Sequence, residues 1–123
     1  MSTPPPTIAR AEDSPAASLR REGLERWRAN DFAGASEVLA RAVALAPQDP
    51  ASRLDFGIAL QGAGRHGEAV EALTAAQQLL PNDAAPFLHA AVSLMALGRM
   101  HEALQAASDV RHRAPNSPQT HYT

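Results

Sequence analysis

"DFAGASEVLARAVALAPQD" (Asp31–Asp49), "RHGEAVEALTAAQQLLPND" (Arg65–Asp83) and "RMHEALQAASDVRHRAPNS" (Arg99–Ser117) are three versions of one stretch. Each has alanine at the same place: Ala35, Ala69 and Ala103. Each closes on a proline: Pro47, Pro81 and Pro115. Both sets recur every 34 residues without insertion. Upstream, Gly23 and Gly57 keep that spacing and Ala91 takes the third place. Asn30, Gly64 and Gly98 fall between the small residue and the alanine. Self-similarity at a fixed period of this length marks a repeat architecture.

Each marked residue has a physical task. A small side chain at Gly23, Gly57 or Ala91, and at Ala35, Ala69 or Ala103, lets a neighbouring helix approach closely. Asn30, Gly64 and Gly98 sit where a left-handed helix cap is expected, and Gly and Asn tolerate that conformation best. The prolines stop the second helix of each pair. Between these marks, apolar residues recur at helical spacing. Leu54, Phe56, Ile58 and Leu60 serve one helix; Val70, Leu73, Ala76, Leu79 and Leu80 serve its partner. The pattern predicts an all-α chain with helices over 16–29 and 33–46, 50–63 and 67–80, and 84–97 and 101–113.

With these residues the chain resembles the tetratricopeptide repeat family, in an Ala/Leu/Arg-rich bacterial style. The resemblance implies an α–α superhelix of three helix-turn-helix hairpins, over 16–49, 50–83 and 84–117. There are departures. Glu22 and Arg26 stand where the family has large apolar residues, Arg53 at a usually aromatic site, and Ala107, Arg111 and Arg113 in place of apolar ones. The middle repeat is therefore expected to pack best.

Composition narrows the function. Apolar residues make up 45% and aromatic residues only 4%, with much of the apolar share alanine, which favours helix. A net charge of −2 gives no case for nucleic acid or an anionic membrane surface. All eleven basic residues are arginine, a composition bias. There is no cysteine, which excludes disulfides, thiolate metal sites and cysteine nucleophiles and fits a cytoplasmic location. Residues 1–15, "MSTPPPTIARAEDSP", carry four prolines and no apolar run, and read as a disordered lead-in rather than a secretory signal. No segment approaches the ~18 apolar residues of a membrane span.

Motifs that suggest chemistry have simpler readings. "HEALQ" (His101–Gln105) starts like a zinc-protease helix but lacks the second His. "GAGRHG" (Gly62–Gly67) has glycines that coincide with the repeat turn, and no Gly-Lys-Ser/Thr follows. His66, His89, His112 and His121 form no ligand-like cluster in sequence. Ser36, Ser93 and Ser108 have no His and acid placed to activate them. No catalytic residue, cofactor or metal is implied, and the chain does not read as an enzyme.

The resemblance implies a groove lined by the first helix of each repeat, where family members bind peptides or partner helices. By matching positions it would draw on Arg20, Leu24, Trp27 and Arg28, on Leu54, Asp55, Ile58 and Gln61, and on Leu88, His89, Val92 and Met95. One subtype clamps a C-terminal carboxylate with lysines, asparagines and an arginine. Here the matching positions hold Arg20, Leu24, Asp55, Ala85 and His89; only Arg20 suits that task, and Asp55 would repel a carboxylate. The groove floor is instead apolar: Leu24, Trp27, Leu54, Ile58, Leu88, Val92 and Met95. The expected function is a protein-interaction scaffold or adaptor for a protein or peptide partner. Two alternatives share the fold: the front end of a larger enzyme, such as a glycosyltransferase or sulfotransferase, and a small secretion chaperone. Tyr122 aligns with Leu54 and Leu88, so residues 118–123 read as the opening of an interrupted fourth repeat. Repeat arrays need a polar cap over their last face. An uncapped C-terminal edge points to self-association.

Overall fold

The structure, a computed structural model, describes residues 14–112. Residues 1–13 of the lead-in and residues 113–123, with the closing "APNSPQTHYT", lie outside them; Ser14 and Pro15, read from sequence as lead-in, instead open the first helix. Six helices run in order: α1 Pro15–Arg28, α2 Phe32–Leu45, α3 Pro50–Gly62, α4 His66–Leu79, α5 Ala85–Ala96 and α6 Met100–His112. Most begin or end about one residue earlier than the periodicity predicts. The cause is local. Ser14 caps α1 by accepting from the Ala17 N–H at 3.0 Å, leaving Pro15 at the first helical position. Asp31 caps α2 by accepting from the Gly34 N–H at 3.0 Å. Ala46 and Leu80, counted as helical by pattern, have ψ of 72° and 63° and turn the chain out toward Pro47 and Pro81.

The turn inside each hairpin is the same motif three times. Asn30, Gly64 and Gly98 adopt φ of 64°, 79° and 74°. In each, the left-handed residue donates its N–H to the carbonyl of the last-but-one helical residue: Trp27, Gln61 and Met95. The next residue donates one position deeper: Asp31 to Arg26 at 2.8 Å, Arg65 to Leu60 at 2.9 Å, and Arg99 to Leu94 at 2.9 Å. This double bond satisfies carbonyls that the helix end leaves open. Arg65 and Arg99 offer no capping acceptor. Instead Arg65 Nη2 donates to Glu68 Oε2 at 2.7 Å, and Arg99 Nη2 donates to Glu102 Oε1 at 2.8 Å. Both glutamates sit in the first turn of their helices, where negative charge is favoured.

Each helix packs on the one before and the one after. In addition the backbones of α1 and α3 and of α3 and α5 come close, whereas those of α2, α4 and α6 do not approach one another as closely. The helices are thus closer on the odd-numbered side, and the array bends toward that side. Small residues permit the approach. A Cβ on Gly23 would lie 2.5 Å from Leu39 Cγ, and one on Gly57 would lie 2.7 Å from Leu73 Cγ and Cδ2. Ala35, Ala69 and Ala103 are buried, as their recurrence requires.

Packing of repeat one is tighter than its polar substitutions suggest. Leu39, Ala35 and Ala42 are fully buried. Glu22 and Arg26 do not intrude on this core, because they pair with each other at 3.4 Å on the outer side of α1. Leu60 and Leu73 centre the next core, with Leu54 and Phe56 packed against it. Arg53 takes no aromatic's place: its Nε donates to the Pro47 carbonyl at 2.6 Å. Outer helices are the least covered. α1 buries only Gly23 among its residues, and α6 only Ala103 and Ala106. None of the described helices is long and apolar enough to cross a membrane.

Candidate functional site

The residues assigned to the groove from sequence separate into three groups. Trp27, Leu88, Val92 and Met95 are exposed, at 39%, 49%, 47% and 56% of their full surface. Arg28 is exposed as well. Leu24, Leu54 and Ile58 are half-buried. The four remaining polar residues, Arg20, Asp55, Gln61 and His89, are also half-buried, and each is engaged by a neighbouring repeat.

Arg20 Nε donates to Asp55 Oδ2 at 2.5 Å, joining α1 to α3. Burial raises the Asp55 carboxyl above its ordinary value, and the hydrogen bond from Arg20 offsets that only in part. Asp55 therefore does not confront the groove as a free negative charge. Gln61 Nε2 donates to the His89 carbonyl at 2.7 Å and to Ser93 Oγ at 2.8 Å, joining α3 to α5. His89 Nδ1 lies 3.2 Å from Gln61 Oε1 and completes a two-way clasp. Burial lowers the His89 pKa below its ordinary 6.5, which favours the neutral ring.

Ser93 carries a feature that sequence reading missed. His66 Nδ1 lies 3.2 Å from its Oγ, so a His does stand beside this serine. The hydroxyl is fully buried and already accepts from Gln61. It presents no nucleophile to solvent. The signal was available in the repeat register. Gln61, His66 and Ser93 occupy the places held by Trp27, Phe32 and Ala59 one repeat earlier. Three polar replacements at one boundary imply that they bond to each other.

At the earlier boundary the contacts are apolar. Trp27 meets Phe32 edge to face, with ring centres 5.8 Å apart and planes at 72°. Leu24, Trp27, Leu39, Asp55 and Ile58 line a cavity of about 190 Å³ between α1 and α3. A Cβ on Gly62 would lie 2.7 Å from the Phe32 ring, which gives the first glycine of "GAGRHG" a packing role. Gly64 supplies the turn. Among the described residues no three His, Asp or Glu side chains gather where they could hold a metal, and Glu102 of "HEALQ" is held by Arg99.

Six antiparallel helices in three hairpins with a 34-residue register define an all-α repeat solenoid. Family models described as tetratricopeptide repeat match residues 20–84 and 60–122. The chain belongs to the tetratricopeptide repeat family. Solved structures share the fold. A structure of MamA from AMB-1 superposes with a TM-score of 0.74 at 24% identity, covering 80% of this chain and 58% of that one. The Yersinia enterocolitica type III secretion translocator chaperone SycD gives 0.80 at 18% identity, covering 92% and 83%. The TPR2B domain of yeast Sti1 in complex with pHsp70 gives 0.79 at 21% identity, covering 86% and 85%. The chain thus spans under two thirds of the MamA chain's length. No curated protein sequence matches it.

Proposed function

We propose that this chain is a protein-interaction scaffold that holds an apolar segment of a partner on its odd-helix face. One observation carries the reading: Trp27 on α1 and Leu88, Val92 and Met95 on α5 remain exposed, and α1 and α5 are first helices, which draw closer together than the second helices do. Exposed aromatic and Met side chains in a concavity are the usual anchors of interfaces. Similar folds in complex with pHsp70 and with an HSP90 peptide support a partner-binding reading. The absence of cysteine supports placing it in the cytoplasm.

Replacing Trp27 and Met95 with alanine is expected to weaken a cognate partner by about 2 kcal/mol or more at the tryptophan alone. Circular dichroism should stay helical, because neither side chain is in the buried core. Titration calorimetry with the partner captured by the wild-type protein reads the loss. Unchanged affinity in the double variant refutes the groove.

A second surface supports self-association. Met100 and Leu104 on α6 are 52% and 68% exposed, with no later helix packed on them among the described residues. Light scattering after gel filtration should show a mass that rises with concentration. A constant monomer mass counts against this contact.

A further inference from the structure

The 34-residue register lets the two boundaries on the groove side be compared place by place. At the α3–α5 boundary Gln61 and His89 bond to each other across the gap. At the α1–α3 boundary the same places hold Trp27 and Asp55, which turn apart: Trp27 to Phe32 and Asp55 to Arg20. Space is left between them. It is the cavity of about 190 Å³ whose other walls are Leu24, Leu39 and Ile58.

We infer that this cavity is an anchor site, and that its occupant is one bulky uncharged side chain of a partner protein, such as Leu, Met or Phe, followed one helical turn away by a carboxylate. The inference rests on the groove reading above. Size comes first: an apolar protein cavity of about 150 Å³ accommodates benzene, so this one has room for a phenyl ring or a branched aliphatic group. Charge decides the rest. Asp55 is the single ionisable residue in the wall, and Arg20 already pairs with it. A cationic guest would have to compete with Arg20, and an anionic one would sit against the carboxylate. An uncharged guest disturbs neither. Arg28 lies four residues beyond Leu24, hence on the same face of α1. It is exposed, and Arg20 and Arg26 of this helix are held by Asp55, Glu22 and Asp31 among the described residues. An uncharged cavity beside an available guanidinium complements an apolar anchor with a neighbouring carboxylate. α5, by contrast, has no Asp, Glu, Lys or Arg. The acidic part of the partner therefore lies over repeat one and its uncharged part runs toward repeat three.

The test uses the full chain and two small probes, 4-phenylbutyrate and 4-phenylbutylamine, followed by methyl and indole NMR shifts. Saturable shifts of Leu24, Ile58 and the Trp27 N–H are expected. The anion should bind about threefold more tightly than the amine, the scale of one exposed charge pair. Arg28→Gln should remove that preference and leave binding. Ile58→Phe, which fills the cavity, should abolish the shifts; circular dichroism checks its helicity, and the wild-type shift map stands without it. Shifts centred on Leu88, Val92 and Met95, no saturable shift at all, or tighter binding of the amine overturns the anchor site. Such a result leaves the Trp27 and Met95 partner experiment to decide the groove independently.

Discussion

Leu73→Ala should destabilise the protein by about 2–5 kcal/mol, and adding Gly57→Ala to it should cost less than Gly57→Ala does alone. Leu73 is fully buried at the centre of the cluster that includes Leu60, Ala69 and Ala90. Truncating it removes apolar contact and leaves a cavity. Gly57→Ala alone brings a methyl to 2.7 Å from Leu73 Cγ and Cδ2, so the leucine must move. Overpacking of that kind costs about 1–3 kcal/mol, against roughly 1 kcal/mol gained by removing a glycine from a helix interior. In the double variant the new methyl occupies space that the leucine vacated, and the gain in helix propensity remains. A coupling of about 1–2 kcal/mol is therefore expected from a four-way urea denaturation series. Strict additivity would show that the two residues do not share one space. The chain contains its own precedent. The places of Gly57 and Leu73 are held by Gly23 and Leu39 in repeat one, again in collision distance, but by Ala91 and Ala107 in repeat three. Where the facing residue is large the small position is glycine; where it is alanine, alanine is allowed.

That correlation explains why the fold was legible in the sequence. Each repeat mark has a cause that acts within a few residues or between adjacent helices. Asn30, Gly64 and Gly98 answer a positive φ, and Gly23 and Gly57 answer a leucine across a helix pair. Helix ends were read about one residue late because a cap such as Ala46 keeps an apolar, helix-favouring side chain while its backbone has already left the helix. The site was less legible. Arg20 and Asp55 are 35 residues apart, and Gln61 and His89 are 28 apart. Periodicity puts all four on the groove side but cannot say whether a polar group there faces a partner or a neighbouring repeat. The register distinguishes them only when the two boundaries are laid side by side, as Trp27 against Gln61 and Asp55 against His89 show.

Gln61→Ala should loosen repeat three by about 1–3 kcal/mol, because it removes the hydrogen bonds that half-buried His89 and buried Ser93 make across the boundary. The amide donates to the His89 carbonyl and to Ser93 Oγ, and its oxygen faces His89 Nδ1. Ser93 has no access to water to replace the lost bond. Hydrogen exchange should show faster opening of α5 and α6 with little change in α1 and α2, since the lost bonds cross only the later boundary. Equal acceleration everywhere would place the damage in the common core instead. Burial of the His89 ring makes the same boundary sensitive to acid. Burial lowers the folded-state pKa of His89 below 6.5, so the folded chain takes up this proton less readily than the unfolded one. The contribution is complete above 6.5 and declines as pH falls below it, until the lowered folded value is passed. Asp55 works in the opposite sense. Its raised pKa makes the folded chain hold a proton more readily, so its contribution grows as pH falls toward the carboxylate range. His89→Gln separates the two. The wild-type urea midpoint should fall between roughly pH 7.5 and about 5.5, and the variant should lose most of that slope while keeping the Asp55 effect at lower pH. A slope that survives His89→Gln assigns the acid response to a group other than His89.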